Sequence, residues 1–489
     1  MNVINLPPFA PTLIESTRAI GYSLESAVAD IIDNSIAAGA CNINIEFFPI
    51  DEEFLSILDD GAGMSSVELT TAMQYGSKNP LDDRDSQDLG RFGLGLKTAS
   101  LSQCRMLTVA SIKDGTLSVR RWDIDYVRSS GNWSLLDVTE KAEQDKIPNI
   151  EKLLQLQSGT LVVWQKLDRL KAGEIDFTSS MGRKIDNVRE HLELVFHRYL
   201  KGEPGLDRIN ISINGDYIQG KDPFLVKKSN RPMDDEVLII QGSKIVVRPY
   251  ILPHISLLSQ DEISELGGKE GLRKLQGFYV YRNKRLLVWG TWFRMQRKGE
   301  LSKLARIQVD IPNTLDDLWT LDIKKSSAIP PAEVRSNLQN IIQRIALQSK
   351  KKYTVRGKRE INDKTIHIWN RMKARDGGYY YEINRKYPAI EQLIKHNPDI
   401  EKALNSIFKQ IETSLPLNQL YVDLNNDEYL ANDNEISDAE IRNALTNMLP
   451  KKATVKEQLG FIDQMSEIEP FVSHQKIVAK IRKEILNNG

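Results

Sequence analysis

The chain of 489 residues contains little cysteine and no long apolar run. Its two cysteines, Cys41 and Cys104, lie far apart and lack metal-ligand spacing, which argues against a disulfide scaffold and against a zinc site. No stretch approaches the roughly 20 consecutive apolar residues that a membrane helix needs. The first residues lack a basic region followed by an apolar core, so we expect no signal peptide. These absences predict a cytoplasmic protein that does not enter a membrane.

The chain also has no net charge, because Lys+Arg and Asp+Glu number 66 each. Its overall charge therefore gives no reason to expect nucleic acid, and any basic surface must be local. Apolar residues make up 40% and charged residues 27%, which is typical of a globular protein. The length predicts about three domains.

The first third of the chain alternates helical and strand patterns, as a layered α/β domain does. Apolar residues at helical spacing predict one helix over 15–40, and an alternating pattern predicts a strand over 42–48. The segment 76–95 is rich in Gly, Asp and Ser, so we expect a long mobile loop that closes as a lid. Shorter elements are predicted as strands over 54–58, 105–112, 117–123 and 159–164 and as a helix over 94–101.

The rest of the chain predicts two further domains. A helical segment near 170–200 leads into an α+β region, and Pro330 and Pro331 mark the next boundary. Beyond them the pattern is mostly helical. We therefore expect an α+β protein with domains over 1–170, 171–330 and 331–489. The strands predicted in the middle region lie within 208–215, 244–251, 277–288 and 305–312.

Two charge runs lie in the last third of the chain. Residues 341–375 carry eleven Lys/Arg against two acidic residues, and 421–440 carry seven acidic residues without any Lys/Arg. With Trp369 and Tyr379 close by, the basic stretch predicts contact with a nucleic-acid backbone. The alternative is a charged helical surface.

A carboxylate and an amide stand four residues apart on the first predicted helix. Asp30 and Asn34 therefore share one helix face and can point into one site. Such oxygen atoms suit Mg²⁺, which prefers oxygen ligands beside phosphates and water, so Asn34 is the predicted metal ligand. Taken alone, this pair is more often a solvated helix face.

An acidic, glycine-rich turn follows the predicted strand 54–58. In Asp59-Asp60-Gly61-Ala62-Gly63 the glycines allow close backbone approach, and the carboxylate can accept a hydrogen bond from the amino group of adenine. The predicted ligand-binding residues here are Asp59, Gly61, Gly63 and the next residue, Met64. An ordinary Asp-Gly turn is the alternative.

A second glycine-rich segment, Gly90 to Thr98, enters the helix predicted over 94–101. Free N–H groups at such a helix start favour phosphate, and the lysine and threonine that follow strengthen that interpretation. The spacing is neither a Rossmann fingerprint nor a Walker loop. The predicted phosphate-side residues are Lys78, Gly90, Arg91, Phe92, Gly93, Leu94, Gly95, Lys97 and Thr98. Finally, Thr160 opens the strand over 159–164, where its hydroxyl could reach a base.

In order and spacing, these four segments resemble the ATP-binding boxes of the gyrase, chaperone, histidine-kinase and MutL superfamily, the GHKL ATPases. The resemblance implies a Bergerat-type α/β sandwich that binds ATP with Mg²⁺. It also implies that Asp30 is the general base, although most members have glutamate there and aspartate is one methylene shorter. Asp33 is an alternative for the base but is expected rather to orient neighbouring groups, whereas Glu25 lies on another helix face and is a poor substitute.

Several strings resemble the MORC-like branch of that superfamily in particular. They lie at 27–40, 72–78, 90–100 and 159–167. The segment 277–290 resembles the transducer domain, in which a lysine reaches the γ-phosphate. Lys324 or Lys325 is the candidate for that lysine, the alternative being an exposed surface position. Histidine kinases, which lack a transducer, and the large heat-shock chaperone resemble the chain less.

The resemblance implies two rival functions. In the first, the chain is a slow Mg²⁺-dependent ATPase that dimerises on ATP and clamps DNA, in a bacterial defence system against foreign DNA. In the second, it is a nucleotide-gated module that recruits a nuclease or helicase partner without turnover. A chaperone-like ATPase is a further alternative.

Overall fold

A computed structural model describes most of the chain in two compact units. The first unit spans Met1–Lys298 and Ser302–Ala346, and the second spans Gly299–Leu301 and Leu347–Gly489. The division into three domains stays a prediction. None of the helices in the described parts is long and apolar enough to cross a membrane. The described residues are 6, 8–19, 21–76, 95–231, 234–253, 257–266, 268–299, 302–316, 318–319, 330–344, 367–373, 379–415, 437–449, 454–468 and 470–487.

The first unit is built on a mixed sheet of eight described strands, in the order β5-β4-β3-β6-β2-β1-β7-β8. Neighbouring strands are antiparallel, except that β1 and β7 are parallel. The strands are β1 (Asn42–Phe48), β2 (Phe54–Asp59), β3 (Met106–Lys113), β4 (Thr116–Asp123), β5 (Leu136–Asp137), β6 (Gly159–Gln165), β7 (Asn210–Ile213) and β8 (Asp216–Tyr217).

Ten described helices accompany this sheet. They are α1 (Ala10–Arg18), α2 (Leu24–Ala37), α3 (Ser66–Met73), α4 (Gly95–Leu101), α5 (Ile124–Ser130), α6 (Lys141–Gln144), α7 (Ile150–Leu153), α8 (Asp168–Lys171), α9 (Phe177–Val195) and α10 (His197–Lys201).

Both faces of the sheet are covered by helices, as the side chains of β6 show. Along β6, Val162 and Trp164 join the apolar core beneath α1, α2 and α9, while Leu161 and Val163 join a second core beneath α7. Successive side chains of a strand point to opposite faces, so a strand with two covered faces is apolar throughout. This central position brings the ends of β2, β3 and β6 together beneath α2.

The prediction of one helix over 15–40 was wrong. Two helices occupy this range, because α1 ends at Arg18 and α2 begins at Leu24. Gly21 between them adopts a positive φ of 75°, and the hydroxyl of Ser23 accepts from the N–H of Ser26 at 3.4 Å. This N-cap starts a new helix in a new direction. The apolar periodicity continued across the break and concealed it.

The other predicted elements of this region are confirmed where the structure describes them. The strand predicted over 42–48 is β1, and the remaining predicted strands are β2, β3, β4 and β6. The helix predicted over 94–101 is α4, which begins at Gly95. Residues 77–94 of the predicted lid lie outside the described residues. The mixed α+β class with a large N-terminal sheet is confirmed.

A five-stranded sheet completes the first unit, in the order β12-β11-β13-β10-β9. Its strands β11 and β13 are parallel, and the other neighbours are antiparallel. One face holds an aromatic cluster that includes Phe224, Tyr250 and Tyr281. The elements are β9 (Glu236–Ile240), β10 (Ser243–Ile251), α11 (Gln260–Glu265), α12 (Gly268–Lys274), β11 (Gly277–Arg282), β12 (Arg285–Thr291), β13 (Ala305–Ile311), a 3₁₀ turn (Asn313–Leu315) and helix α13 (332–344).

The second unit has a core of its own, to which Ile441, Ile462 and Ile481 contribute from three helices. Ser437 and Thr454 start two of these helices with capping boxes. The prediction of a mainly helical C-terminal region is confirmed. The elements are β14 (Trp369–Lys373), β15 (Tyr379–Ile383), α14 (Pro388–His396), a 3₁₀ turn (Pro398–Ile400), α15 (Glu401–Thr413), α16 (Asp438–Met448), α17 (Val455–Met465), a 3₁₀ turn (Phe471–His474) and α18 (Gln475–Asn487).

Candidate active site

Asp59 ends β2 in the middle of the first sheet, with its side chain buried beneath α2. The hydroxyl of Ser35, on α2, donates to Oδ2 of Asp59 at 2.7 Å. The N–H of Gly61 donates to Oδ1 at 3.0 Å. The sequence predicted this carboxylate at the end of the strand. In the structure, α2 and the turn after β2 donate hydrogen bonds to both of its oxygens.

The ionisation of Asp59 reflects two opposing effects. Burial raises the pKa of the Asp59 carboxyl above its ordinary value, because the charged form loses water. Hydrogen bonds from Ser35 and from the N–H groups of Gly61 and Thr160 act in the opposite direction and lower it. A further N–H donor, such as the amino group of adenine, would favour the ionised form again.

The turn after β2 packs against neighbouring strands at backbone distance. A Cβ on Gly63 would lie 1.9 Å from the carbonyl oxygen of Ile112, and the φ of Gly63 is +68°. A Cβ on Gly159 would lie 2.3 Å from the carbonyl oxygen of Asp59. At Gly61 a Cβ would lie 2.9 Å from the Cβ of Ala38. Glycine is required here because the backbones of β2, β3 and β6 approach so closely.

Three polar side chains stand in register across β2, β6 and β3. Asp59 faces Thr160, and Thr160 faces Ser111. The Ser111 hydroxyl donates to the carbonyl of Gly159 at 2.9 Å and accepts from the N–H of Met64 at 2.8 Å. Since Ser111 has a single proton, its 3.0 Å contact with the Thr160 hydroxyl has Thr160 as donor. The Thr160 oxygen then retains capacity to accept a hydrogen bond.

Asp30 lies on α2, more than one turn before Ser35. Its side chain is buried, and the Tyr22 hydroxyl donates to Oδ2 at 3.1 Å. Asn34, one turn after Asp30, is exposed. The helix therefore carries a buried carboxylate and an exposed amide on neighbouring turns, and it also supplies the serine that binds Asp59.

Helix α4 begins beside Asp30. A Cβ on Gly95 would lie 3.8 Å from Oδ2 of Asp30, so the glycine-rich end of α4 faces this carboxylate. Two positions along, Lys97 is buried, and its Nζ donates to the carbonyl of Ala72 at 2.8 Å. Burial lowers the pKa of Lys97 to about 8. Thr98 is buried as well.

Part of the predicted site lies outside the described residues: Lys78, Gly90, Arg91, Phe92, Gly93, Leu94, Lys324 and Lys325. In the parts that the structure describes, no cluster of three or more His, Cys, Asp or Glu could hold a metal ion.

Three residues of this site were not predicted from the sequence, namely Tyr22, Ser35 and Ser111. Ser35 directly follows Asn34, so its position on α2 was a signal that could have been used. Tyr22 and Ser111 carried no such signal, because each reaches the site from an element outside the motifs.

Comparison with known proteins agrees with this geometry. Residues 22–160 match the family described as histidine kinase-, DNA gyrase B-, and HSP90-like ATPase. Over 94 residues the chain is 35% identical to "ATPase morc-1" of Caenorhabditis elegans. It is 29% identical over 94 residues to "DNA mismatch repair protein MutL" of Thermoanaerobacter sp. (strain X514), and 29% identical over 113 residues to MutL of Dictyoglomus turgidum.

These similarities are partial. They cover 19%, 19% and 22% of this chain and 11%, 15% and 20% of the three relatives, respectively. The family match nevertheless contains Asp30, Asp59 and Thr160. Asp59 faces Thr160 across β2 and β6, and α2 carries both Asp30 and the Ser35 that binds Asp59. Residues 22–160 therefore carry a domain of the GHKL ATPase type, and the similarity to a MORC protein is consistent with the MORC-like branch.

Proposed function

We propose that the chain binds ATP with Mg²⁺ between α2, the end of β2 and α4, and hydrolyses it slowly. One observation carries the proposal. A single helix, α2, holds the buried carboxylate of Asp30 and, through Ser35, binds the buried carboxylate of Asp59. The helix therefore links Asp59, the candidate adenine-binding carboxylate, to Asp30, the candidate catalytic carboxylate. The match of residues 22–160 to an ATPase family supports the same reaction class.

In this proposal the adenine ring lies against the ends of β2 and β6. Its amino group donates to Asp59, and the Thr160 oxygen accepts a further hydrogen bond. The turn from Gly61 to Met64 forms the wall beside the ring, because glycine lets the backbone approach the base closely. Buried hydrogen bonds to a charged group contribute about 1.5–3 kcal/mol each.

The phosphates lie towards α4 and the segment 77–94. Lys97, Thr98, Gly95 and the glycine-rich residues before them supply positive charge and N–H donors. Lys78 and either Lys324 or Lys325 add further cations. Bound Mg²⁺ would neutralise the phosphate charge, with Asn34 as its protein ligand.

Asp30 is the proposed general base. Its carboxylate accepts a proton from the water that attacks the terminal phosphate, while Tyr22 holds Oδ2 in place. Phosphoryl transfer depends mainly on positioning and charge neutralisation, so a correctly held aspartate suffices for slow turnover.

The test compares Asp30→Asn with Glu25→Gln. Both changes remove one carboxylate from α2, but Glu25 lies in the first turn of the helix and is not part of the proposed chemistry. We expect Asp30→Asn to lower kcat by about 10²-fold or more while ATP affinity stays within about threefold. Glu25→Gln should behave like the wild type. Equal turnover in Asp30→Asn and wild type would contradict the assignment, and tight ATP binding without wild-type turnover would favour the nucleotide-gated module.

We further propose that ATP drives homodimerisation and that the dimer acts on DNA, in defence against foreign DNA and with a nuclease or helicase partner. Support comes from the MutL relatives, which are named as DNA mismatch repair proteins, and from the basic stretch 341–375. Most of this stretch lies outside the described residues.

Charge reversal tests the DNA contact. Lys350, Lys351 and Lys352 changed together to Glu should weaken binding to all DNA sequences about equally, and wild-type affinity should fall steeply with salt. The control reverses three exposed lysines of α18, namely Lys476, Lys480 and Lys483. Equal losses in both triple variants, or binding independent of salt, would contradict the proposal.

A further inference from the structure

A buried ion pair joins α2 to the second sheet of the first unit. Nε of Arg285, at the start of β12, lies 3.3 Å from Oδ1 of Asp33 on α2. The two residues are 252 positions apart in the sequence, and their side chains are only 5% and 2% exposed. Removing one partner of such a pair takes a counter-charge away from a buried charge, which is strongly destabilising.

The surroundings hold Arg285 in one orientation. Its Nη1 donates to the carbonyl of Leu286 at 2.8 Å, and its guanidinium lies 5.6 Å from the centre of the Phe196 ring. Burial, followed by the positive charge of Arg285, lowers the pKa of nearby His191 to about 3. His191 is therefore neutral at pH 7, and the guanidinium supplies the positive charge that faces Asp33.

Asp33 occupies a sensitive position on α2. It lies three residues after Asp30 and directly before Asn34, and Ser35 follows with its hydrogen bond to Asp59. The helical segment from Asp30 to Ser35 makes only about 1.4 turns at 3.6 residues per turn, so these groups move together when the helix rotates. A bond to Asp33 therefore fixes the rotation of the helical segment that carries Asp30, the proposed general base, and Asn34, the proposed Mg²⁺ ligand.

We infer that Arg285 is a positioning residue for the proposed ATP hydrolysis. Through Asp33 it sets the orientation of Asp30 and Asn34, and through β12 it transmits the nucleotide state of α2 to the second sheet. The inference rests on the proposed function. A purely structural ion pair would change stability alone, whereas a positioning pair changes turnover per folded molecule.

The chain offers a matched control for this pair. Arg198, on α10, is also a buried arginine in the same unit, with 3% of its side chain exposed. Its carboxylate partners are Glu203 and Asp310, neither of which lies on α2. Arg198→Met therefore removes a buried guanidinium without releasing the helix.

The experiment measures two quantities in the full chain, for the wild type, Arg285→Met, Asp33→Asn, the double variant and Arg198→Met. The first is kcat per folded molecule together with the Kd for ATP. The second is amide hydrogen exchange of β12, α2 and α4 with and without a non-hydrolysable ATP analogue. The hydrogen-exchange measurement requires only that the protein binds nucleotide. It therefore tests the role of Arg285 even if the protein does not hydrolyse ATP.

We expect each single variant at this pair to lower kcat by about tenfold with Kd changed less than threefold. The double variant should lose no more than either single variant, because both remove the same contact. Nucleotide should alter exchange in α2, α4 and β12 of the wild type and of Arg198→Met. In the Arg285→Met and Asp33→Asn proteins the response of α2 and α4 should persist and that of β12 should vanish.

Three results would overturn the inference. They are a kcat loss no larger than in Arg198→Met, additive losses in the double variant, and a β12 exchange response that is absent from the wild type or unchanged in the variants. Failure of the proposed function would give a distinct result. A wild-type protein that binds no nucleotide would show no change in hydrogen exchange on addition of the ATP analogue, even in α2 and α4.

Discussion

The two sides of the candidate site differ in how much of their geometry is already in place. On the β2 side, Asp59, Gly63 and Thr160 are fixed by backbone contacts and by hydrogen bonds between neighbouring strands. On the α2–α4 side, Lys97 donates to a carbonyl of α3 and Asn34 is exposed to solvent. Under the proposed function, the β2 side is preorganised for a flat base, whereas Lys97 on the α2–α4 side would have to exchange its contact with Ala72 before it could bind phosphate.

This difference assigns distinct roles to the two sides. A preorganised side loses little conformational entropy on binding and therefore contributes affinity and selectivity for the adenine base. A side that exchanges contacts when the nucleotide enters is suited to signal that the phosphates are present. Substitutions on the β2 side should change affinity, and those on the α2–α4 side should also change stability or turnover.

The largest expected effect on the β2 side comes from Asp59→Asn. The side chain keeps its size, but the amide nitrogen that replaces one oxygen cannot accept a hydrogen bond. Loss of a charge-assisted hydrogen bond of about 1.5–3 kcal/mol predicts an ATP affinity at least about tenfold lower. Calorimetric titration with ATP measures this change, and far-UV circular dichroism checks that the fold is intact.

The neighbouring Asp60 supplies the control for Asp59→Asn. Its Oδ1 accepts from the N–H groups of Cys41 and Asn42, both at 2.8 Å, so it is engaged away from the proposed base pocket. Asp60→Asn should leave ATP affinity close to that of the wild type. Equal affinity in the Asp59→Asn protein and the wild type would remove the basis for the adenine assignment.

On the α2–α4 side, Lys97→Met should raise stability while it lowers ATP affinity. The folded-state pKa of Lys97 is about 8, against an ordinary value of 10.5. The unfolded chain therefore binds more protons between these values, and wild-type stability should rise as the pH increases from about 8 to about 10.5. Methionine removes this buried charge, so we expect a gain of about 1–2 kcal/mol at pH 7, net of the lost hydrogen bond to Ala72.

Urea unfolding of the Lys97→Met variant at several pH values between 7 and 10.5 measures this effect. The rise in stability with pH should be smaller in the variant than in the wild type. Lys113→Met is the control, because Lys113 lies on β3 and pairs with Glu68 at the surface. Identical pH profiles for Lys97→Met and the wild type would show that Lys97 carries no such penalty.

The contrast between the two sides also explains how far the sequence could predict the site. Asp59, Gly63 and Thr160 belong to short motifs whose local geometry follows from a strand end and a glycine turn, so they could be named in advance. Tyr22 and Ser111 could not, because they reach the site only through tertiary packing.

The second sheet illustrates the same limit at longer range. Four of its five strands, β10 to β13, lie where strands were predicted, whereas β9 was not predicted. The strand predicted over 208–215 for this region is β7, which pairs with β1 in the first sheet. The pairing of Arg285 with Asp33 spans 252 positions. Asp33 was expected to orient neighbouring groups, but no local pattern indicates that its partner is Arg285. Fold class and motif positions were therefore predictable, whereas the contact between helix and sheet required the structure.

The smallest expected effect concerns Thr160→Val, which tests how completely the β2 side is preorganised. Valine keeps the shape and the strand propensity of threonine but removes the hydroxyl that donates to Ser111 at 3.0 Å. Ser111 keeps its bonds to Gly159 and Met64, so the turn should stay in place. Loss of one neutral hydrogen bond to the base, about 0.5–1.5 kcal/mol, predicts an ATP affinity about threefold to tenfold lower with kcat unchanged. Thr160→Ser retains the hydroxyl and should restore the affinity, as measured by titration with ATP. If valine and serine variants bind ATP equally well, Thr160 acts only through strand packing, and Asp59 alone among the strand-end side chains recognises the base.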